Sequence, residues 1–278
     1  MSTWLITGCS SGLGRALAEA VLDAGHNAVI TARTPETLSE IVSAHPDTAL
    51  ALPLDVRDHK QVLAVAQQAH EHFGDVDVLV NNAGHGYRAA VEEGEPDEVQ
   101  ELFETNFAGP VDLIKQVLPG MRRRRSGTII NISSIAGRMS NPGSGYYSAT
   151  KAALEGMSYG LRMEVAPLGV RVVVVEPGAF RTDFSGRSLQ QSATPIDDYA
   201  GTAGLRRKEN DRTHGTQPGD PARAAQALIT IAESADPPLR LLLGSDAVEV
   251  IRAELDRQRA EIDAWEHLSR STDFPAEN

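Results

Sequence analysis

The chain has 278 residues, 41% of them hydrophobic, enough to bury one substantial core, and a single domain spanning 1–278 is the default for an α/β chain of this length. A net charge of −12 argues against nucleic acid as a partner, and no apolar run reaches the ~20 residues that cross a bilayer, so no membrane partner is expected. A first strand from residue 3 leaves no room for a secretory leader and the single Cys9 has no partner for an internal disulfide, so a cytoplasmic protein is expected.

In chain order, Thr3-Trp-Leu-Ile-Thr7 reads as a buried strand that runs into Gly8-Cys-Ser-Ser-Gly12-Leu-Gly14 and then into an amphipathic helix to Gly25. Strand, glycine loop and helix in that order suit a dinucleotide. The glycines allow unusual φ values and close backbone approach to a pyrophosphate, and the helix N-terminus offers N–H groups and a partial positive charge. Further apolar strands are expected near 27–32, 49–54, 76–80, 127–133, 170–176 and 239–243, with helical patterns between, the alternation of a doubly wound sheet. At the end of the second strand, dinucleotide folds use an acid to bind the ribose hydroxyls or an Arg to accept a 2′-phosphate. This chain has Ala32, Arg33 and Thr34 there. From Gly178 to about Gly219 no apolar period is visible, which predicts a substrate lid over about 185–216, with an idle surface loop as the other reading. Arg122-Arg-Arg-Arg125 reads as a solvated helix end.

Tyr147 and Lys151 stand four apart on a predicted helix and project from one face. A phenol titrates near ~10 in water, and a neighbouring ammonium stabilises its phenolate, so the pair can serve as an acid–base catalyst. Tyr146 lies about 100° round the helix from Tyr147 and is the poorer partner. The eight histidines show no ligand spacing, so no metal site is proposed. His85, beside the expected cleft, is read as solvent-facing in preference to lining the substrate side.

Several blocks accompany this pair in order: the glycine loop, Asn81-Asn82-Ala83-Gly84 after the fourth strand, Asn106 in a following helix, Asn131-Ile-Ser133-Ser134, Tyr147/Lys151, and Pro177-Gly178-Ala-Phe-Arg-Thr182. Together they resemble the short-chain dehydrogenase/reductase family, closely over about residues 2 to 185. The resemblance implies a single-domain Rossmann-type doubly wound, mainly parallel seven-stranded sheet with helices on both faces. The cofactor half would cover about 1–135 and the catalytic and substrate half about 136–278.

By the same resemblance, Tyr147 exchanges a proton with the substrate oxygen, Lys151 lowers its pKa and bonds the nicotinamide ribose, and Ser134, thirteen residues before the Tyr, hydrogen-bonds the substrate oxygen. Asn106 would hold a helix distortion and a proton-passing water, and Ser133 would be turn chemistry. Cofactor contacts are implied for Gly8, Ser10, Ser11, Gly12, Leu13, Gly14, Arg33, Thr34, Asp55, Val56, Asn82, Ala83, Gly84, Tyr147, Lys151, Pro177, Gly178 and Thr182. Arg33 favours NADP(H) over NAD(H), although Ser11 stands where some NADP enzymes carry a further basic residue and Arg33 could be a surface charge. The implied activity is that of a carbonyl reductase or alcohol dehydrogenase acting on a medium-sized, largely apolar ketone or secondary alcohol. A non-catalytic nucleotide-binding regulator or redox sensor is the alternative. The resemblance also implies a homo-oligomer, dimer or tetramer, through helices near 97–125 and 147–166. The polar amphipathic helix from Gly244 to Trp265 is similar to a hydroxysteroid-dehydrogenase-like subgroup.

Overall fold

The computed structural model describes residues 1–186, 188–213 and 215–274. The chain first winds outward from β1 (Thr3–Ile6) through α1 (Gly12–Asp23), β2 (Asn27–Ala32) and α2 (Ser39–Ala44) to β3 (Ala49–Pro53). Helix α3 (His59–Phe73), capped by Asp58 accepting from the N–H groups of Lys60 and Gln61, carries it back to β4 (Val78–Asn81) on the other side of β1. A short β5 (Gly86–Arg88) and α4 (Pro96–Phe103) follow, and a π-helical stretch (Glu104–Ala108) leads into α5 (Gly109–Arg124). The second half adds β6 (Gly127–Ile132), α6 (Gly145–Val165), β7 (Val170–Pro177), β8 (Leu189–Gln191), α7 (Ala203–Thr213), α8 (Pro221–Glu233), β9 (Arg240–Leu243) and α9 (Ser245–Arg270).

Among the described residues the main sheet has seven strands in the order β3-β2-β1-β4-β6-β7-β9, every pairing parallel. Such a sheet is covered on both faces, which is why β1, β4 and β6 are buried along their whole length. One face packs Trp4, Ile6, Ile30 and Val80 against α1, α2 and α8; the other packs Leu5, Val29, Leu79 and Ile129 against α3, α5 and α6. Each such aliphatic side chain contributes about 1.5–3 kcal/mol on burial. The winding reverses between β1 and β4, and the crevice outside their carboxyl ends is where this topology binds ligands.

The stretch expected to be a substrate lid or an idle surface loop carries regular structure. β8 pairs in parallel with β5 over Gly86–Leu189, Tyr87–Gln190 and Arg88–Gln191, a 3-10 turn covers Asp197–Tyr199, and α7 follows. Three-residue strands are too short to show an alternation, and Gly204-Leu-Arg-Arg-Lys-Glu-Asn-Asp-Arg is polar around almost its whole circumference, so neither leaves a periodic signal. Arg187 and His214, within the expected lid, lie outside the described residues. The excursion closes on itself where Arg181 N–H donates to the Gly219 carbonyl and Gly219 N–H to that of Ala179.

Candidate active site

The glycine loop joins β1 to α1 at the crevice. Gly8 and Gly12 have φ of 72° and 60°, the left-handed region that glycine enters without strain. Space as well as φ excludes side chains here. A Cβ on Gly8 would come within 2.9 Å of the Ala83 Cα, and one on Gly14 would overlap the Asn82 amide and the Gly8 carbonyl. The loop is fastened to the Asn82–Gly84 run by buried Thr7, whose Oγ1 accepts from the Asn82 and Ala83 N–H groups at 2.9 Å each. Asn82 Nδ2 in turn donates to the carbonyls of Thr7 (2.8 Å) and Gly8 (3.1 Å). Asn82 thus builds the cradle with its side chain.

Ser11 opens α1 without a side-chain bond to the first-turn N–H groups, and Gly12 faces Thr182 so closely that an added Cβ would sit 3.3 Å from the Thr182 Cβ. Uncapped N–H groups at a helix start, bare backbone and a threonine opposite are a cradle that fits the pyrophosphate of a nicotinamide dinucleotide. Ser10 lies half-buried in this loop, whereas the side chain of Leu13 packs on the core, which leaves its backbone N–H to face a ligand. Val56 likewise sits in the core, its carbonyl and side chain against Gly109.

At the end of β2, Arg33 and Thr34 are exposed, and the Arg33 cation acts on both Asp55 and His85. Asp55 is forked by Arg57, with Nε–Oδ1 at 3.0 Å and Nη2–Oδ2 at 2.6 Å, and this bonding holds its carboxyl below the usual range against the opposing effect of burial. Pro177 ends β7, and Gly178 N–H donates to the Leu243 carbonyl, where a Cβ on Gly178 would overlap the Asp246 carboxylate of α9.

The reactive groups converge from three elements. Tyr147 and Lys151 lie on one face of α6, both buried, with Lys151 Nζ 5.8 Å from the Tyr147 ring centroid and donating to the Ile132 carbonyl at 2.9 Å. Tyr146 turns away and donates to the Val91 carbonyl. Asn106 lies inside the π-helical stretch, where widened winding turns its side chain out of the ordinary helix register. Its Oδ1 accepts from His85 N–H at 3.0 Å, and its Nδ2 donates to the His85 carbonyl (2.9 Å) and to Thr150 Oγ1 on α6 (3.2 Å). Asn106 and Lys151 meet at Gly84, where a Cβ would stand 3.0 Å from Asn106 Oδ1 and 3.6 Å from Lys151 Nζ.

Burial raises the pKa of the Tyr147 phenol, while the Ser134 hydroxyl and the Arg88 cation pull it down. Burial lowers the Lys151 ammonium to about 8, with Glu155 acting in the opposite sense. Arg88 is buried on β5, a second cation at the phenol that no motif announced.

Two expectations need correction. Turn chemistry belongs to Ser134, whose Oγ accepts from Ala136 N–H at 3.1 Å and keeps its own proton to donate, whereas Ser133 Oγ donates to Glu155 at 2.7 Å. His85 is half-buried rather than turned out to solvent: its Nε2 is buried, and burial lowers the ring's pKa. The strand pairing that brings β5 over the cleft draws it in. Thr7 and Glu155 were missed because their partners are distant in sequence.

A family model described as short chain dehydrogenase matches residues 2–193. The chain belongs to the short chain dehydrogenase family. Oxidoreductase BOA17 of Botryotinia fuckeliana (strain B05.10) is 39% identical over 267 residues, which cover 96% of this chain and 97% of that protein. A short-chain dehydrogenase structure from Streptomyces avermitilis is 46% identical with a TM-score of 0.92, covering 98% of this chain and 100% of that one. A short chain dehydrogenase from Burkholderia cenocepacia J2315, solved in complex with NADP, is 25% identical with a TM-score of 0.74, covering 95% and 96%. The chain is therefore an oxidoreductase of this family, on a fold that binds a nicotinamide cofactor.

Proposed function

We propose that this dehydrogenase is an NADP(H)-dependent carbonyl reductase or alcohol dehydrogenase acting on a medium-sized, largely apolar ketone or secondary alcohol. The observation that carries the reading is the buried Tyr147 phenol flanked by the Ser134 hydroxyl, with the Lys151 ammonium 5.8 Å from its ring. The nicotinamide, when bound, supplies or accepts the hydride at the substrate carbon. Tyr147 Oη gives its proton to the carbonyl oxygen in reduction and takes it back in oxidation. Ser134 Oγ–H donates to that oxygen as charge develops on it, and the Lys151 ammonium favours the phenolate. Asn106 fixes the His85 backbone and, through Thr150, the helix that carries Tyr147.

An apolar substrate is supported by Phe184, whose ring centre is 5.7 Å from that of Tyr147, and by Leu189, which with Phe184 covers Gly86. The β8 to α7 stretch then acts as the substrate lid. NADP(H) is supported by exposed Arg33 in place of an acid and by the NADP complex of the Burkholderia relative. Exposed Tyr159 and Met163 on α6 support a homo-oligomer through that helix.

The test is NADPH consumption across a carbonyl panel with three proteins. Tyr147→Phe should lose on the order of 10²–10⁴ of kcat while still binding NADP, because only the proton donor is removed. Ser134→Ala should lose about 10². Substantial turnover by Tyr147→Phe would mean another group is the acid.

A further inference from the structure

Beyond Lys151, the same face of α6 carries a third ionisable side chain one turn on, Glu155, which is buried. Lys151 Nζ holds the Ile132 carbonyl at 2.9 Å, and Glu155 Oε1 accepts from Ser133 Oγ at 2.7 Å. Two successive turns of the helix therefore grip two successive residues at the end of β6, and the next residue is Ser134. The following turn is shaped to the same carboxylate, since a Cβ on Gly137 would overlap Glu155 Oε1.

Glu155 belongs to a buried charge cluster. Glu176 on β7 is 0% exposed, and Arg240 on β9 bridges the two acids, its Nε 3.5 Å from Glu155 Oε2 and 3.3 Å from Glu176 Oε1. Arg138 Nη1 lies 3.5 Å from Glu176 Oε2. Burial, with Glu155 adding to it, pushes the Glu176 carboxyl up to about 7. Burying two acids side by side costs stability that apolar residues would not, so packing alone gives no reason for them. Other charged or titratable groups facing Lys151 and Glu155 are Tyr147 on α6 and His85 after β4; Arg88 stands by Tyr147, and Glu254 of α9 acts on Arg138.

We propose that Glu155 is a positioning residue for catalysis: through Ser133 it fixes the strand end that presents Ser134, and its carboxylate is the counter-charge that keeps the Lys151 ammonium beside Tyr147. The inference rests on the reading of Tyr147 as the acid. Burial favours neutral lysine and Glu155 opposes it, so removing the carboxylate lets Lys151 lose its proton at lower pH.

The experiment is the pH profile of kcat/KM for ketone reduction in wild type, Glu155→Gln and Ser133→Ala, with Tyr147→Phe alongside. Glu155→Gln keeps an oxygen that can accept from Ser133 but removes the charge. Its alkaline limb should retreat by about one pH unit, which is about tenfold in rate on that limb, with activity at pH 6 near that of wild type. Ser133→Ala frees the strand end that presents Ser134 and so should lower kcat at every pH, and because it also removes a bond that favours ionised Glu155 its limb should move the same way by less. A Glu155→Gln profile that superimposes on wild type, a Glu155→Gln loss equal at every pH, or a Ser133→Ala profile with an unmoved alkaline limb would overturn the proposal by reducing Glu155 to a packing role. If Glu155→Gln fails to fold by circular dichroism, the Ser133→Ala profile decides alone. An inactive Tyr147→Phe with unmoved limbs removes only this inference, whereas an active Tyr147→Phe removes the reading beneath it.

Discussion

On the cofactor side of the cleft, four hydrogen bonds of 2.8–3.1 Å lock the glycine loop to Asn82 and Ala83, all of them within or beside the central strands. On the substrate side, β8 meets β5 over three residue pairs, and much of the remaining attachment runs through the side chain and carbonyl of a single buried residue, Glu93. Ser192 Oγ donates to the Glu93 carbonyl at 2.7 Å, Ile196 N–H to its carboxylate at 2.8 Å, and Arg207 pairs with it. Burial works against that carboxylate, yet the N–H groups of Ile196 and Ala90 together with Arg207 hold its pKa below the ordinary value. The cradle is anchored to the central sheet, whereas the cover is anchored outside it, to the short β5 and to Glu92, Glu93 and Glu95. A dinucleotide has one shape to be met, whereas the lid proposed for the β8 to α7 stretch has to open, and attachment outside the main sheet leaves it free to do so.

Glycine substitutions break the comparison most sharply. Gly14→Ala drives a methyl group into the Gly8 carbonyl and the Asn82 amide, neither of which can yield without opening the loop, so NADP binding should be lost and the protein destabilised by about 1–3 kcal/mol. Gly201→Ala, on the substrate side, meets nothing within 4 Å and should leave binding and melting temperature unchanged. Cofactor titration and thermal denaturation of both variants check this. Equal effects at the two sites would erase the contrast.

A smaller effect is expected at the rim of the cradle. On the NADP(H) reading proposed above Arg33 holds the 2′-phosphate, and charge-assisted bonds are worth roughly 1.5–3 kcal/mol each, so wild type should prefer NADPH to NADH by about tenfold or more in kcat/KM. Arg33→Ala should remove most of that preference, and Ala32→Asp should turn it towards NADH. An unchanged ratio in Arg33→Ala would make Arg33 a surface charge.

The mildest test follows hydrogen exchange of the two sides. Amides of residues 189–213 should exchange faster than those of β1, β4 and the glycine loop in the free protein, and should gain protection when cofactor and substrate are both present. Equal protection of the cover in both states would make it a fixed wall.

Much of this was legible in the sequence for a physical reason. A parallel strand covered on both faces must be apolar nearly throughout, so Val78–Asn81 and Val170–Pro177 announce themselves without help from their neighbours. The glycine loop is equally local, because its requirement is a backbone that side chains would block. Tyr147 and Lys151 are fixed relative to each other by one turn of one helix. By contrast, β5 and β8 exist only because they find each other across about a hundred residues, and α7 carries no apolar stripe to mark it.

Sequence alone therefore determined what depends on neighbours along the chain: the strands of the main sheet with the helices between them, the glycine loop after β1, and the register of the Tyr–Lys pair. The tertiary structure decided what depends on neighbours in space. Only the packing of α6 against the ends of β6, β7 and β9 brings Glu155 to Ser133 and Arg240 to both acids. Only the pairing of β5 over the cleft sets Arg88 beside the phenol and buries the Nε2 of His85. Hydrogen bonds and charges act over a few ångströms, and the separations that count are those left after the chain has folded.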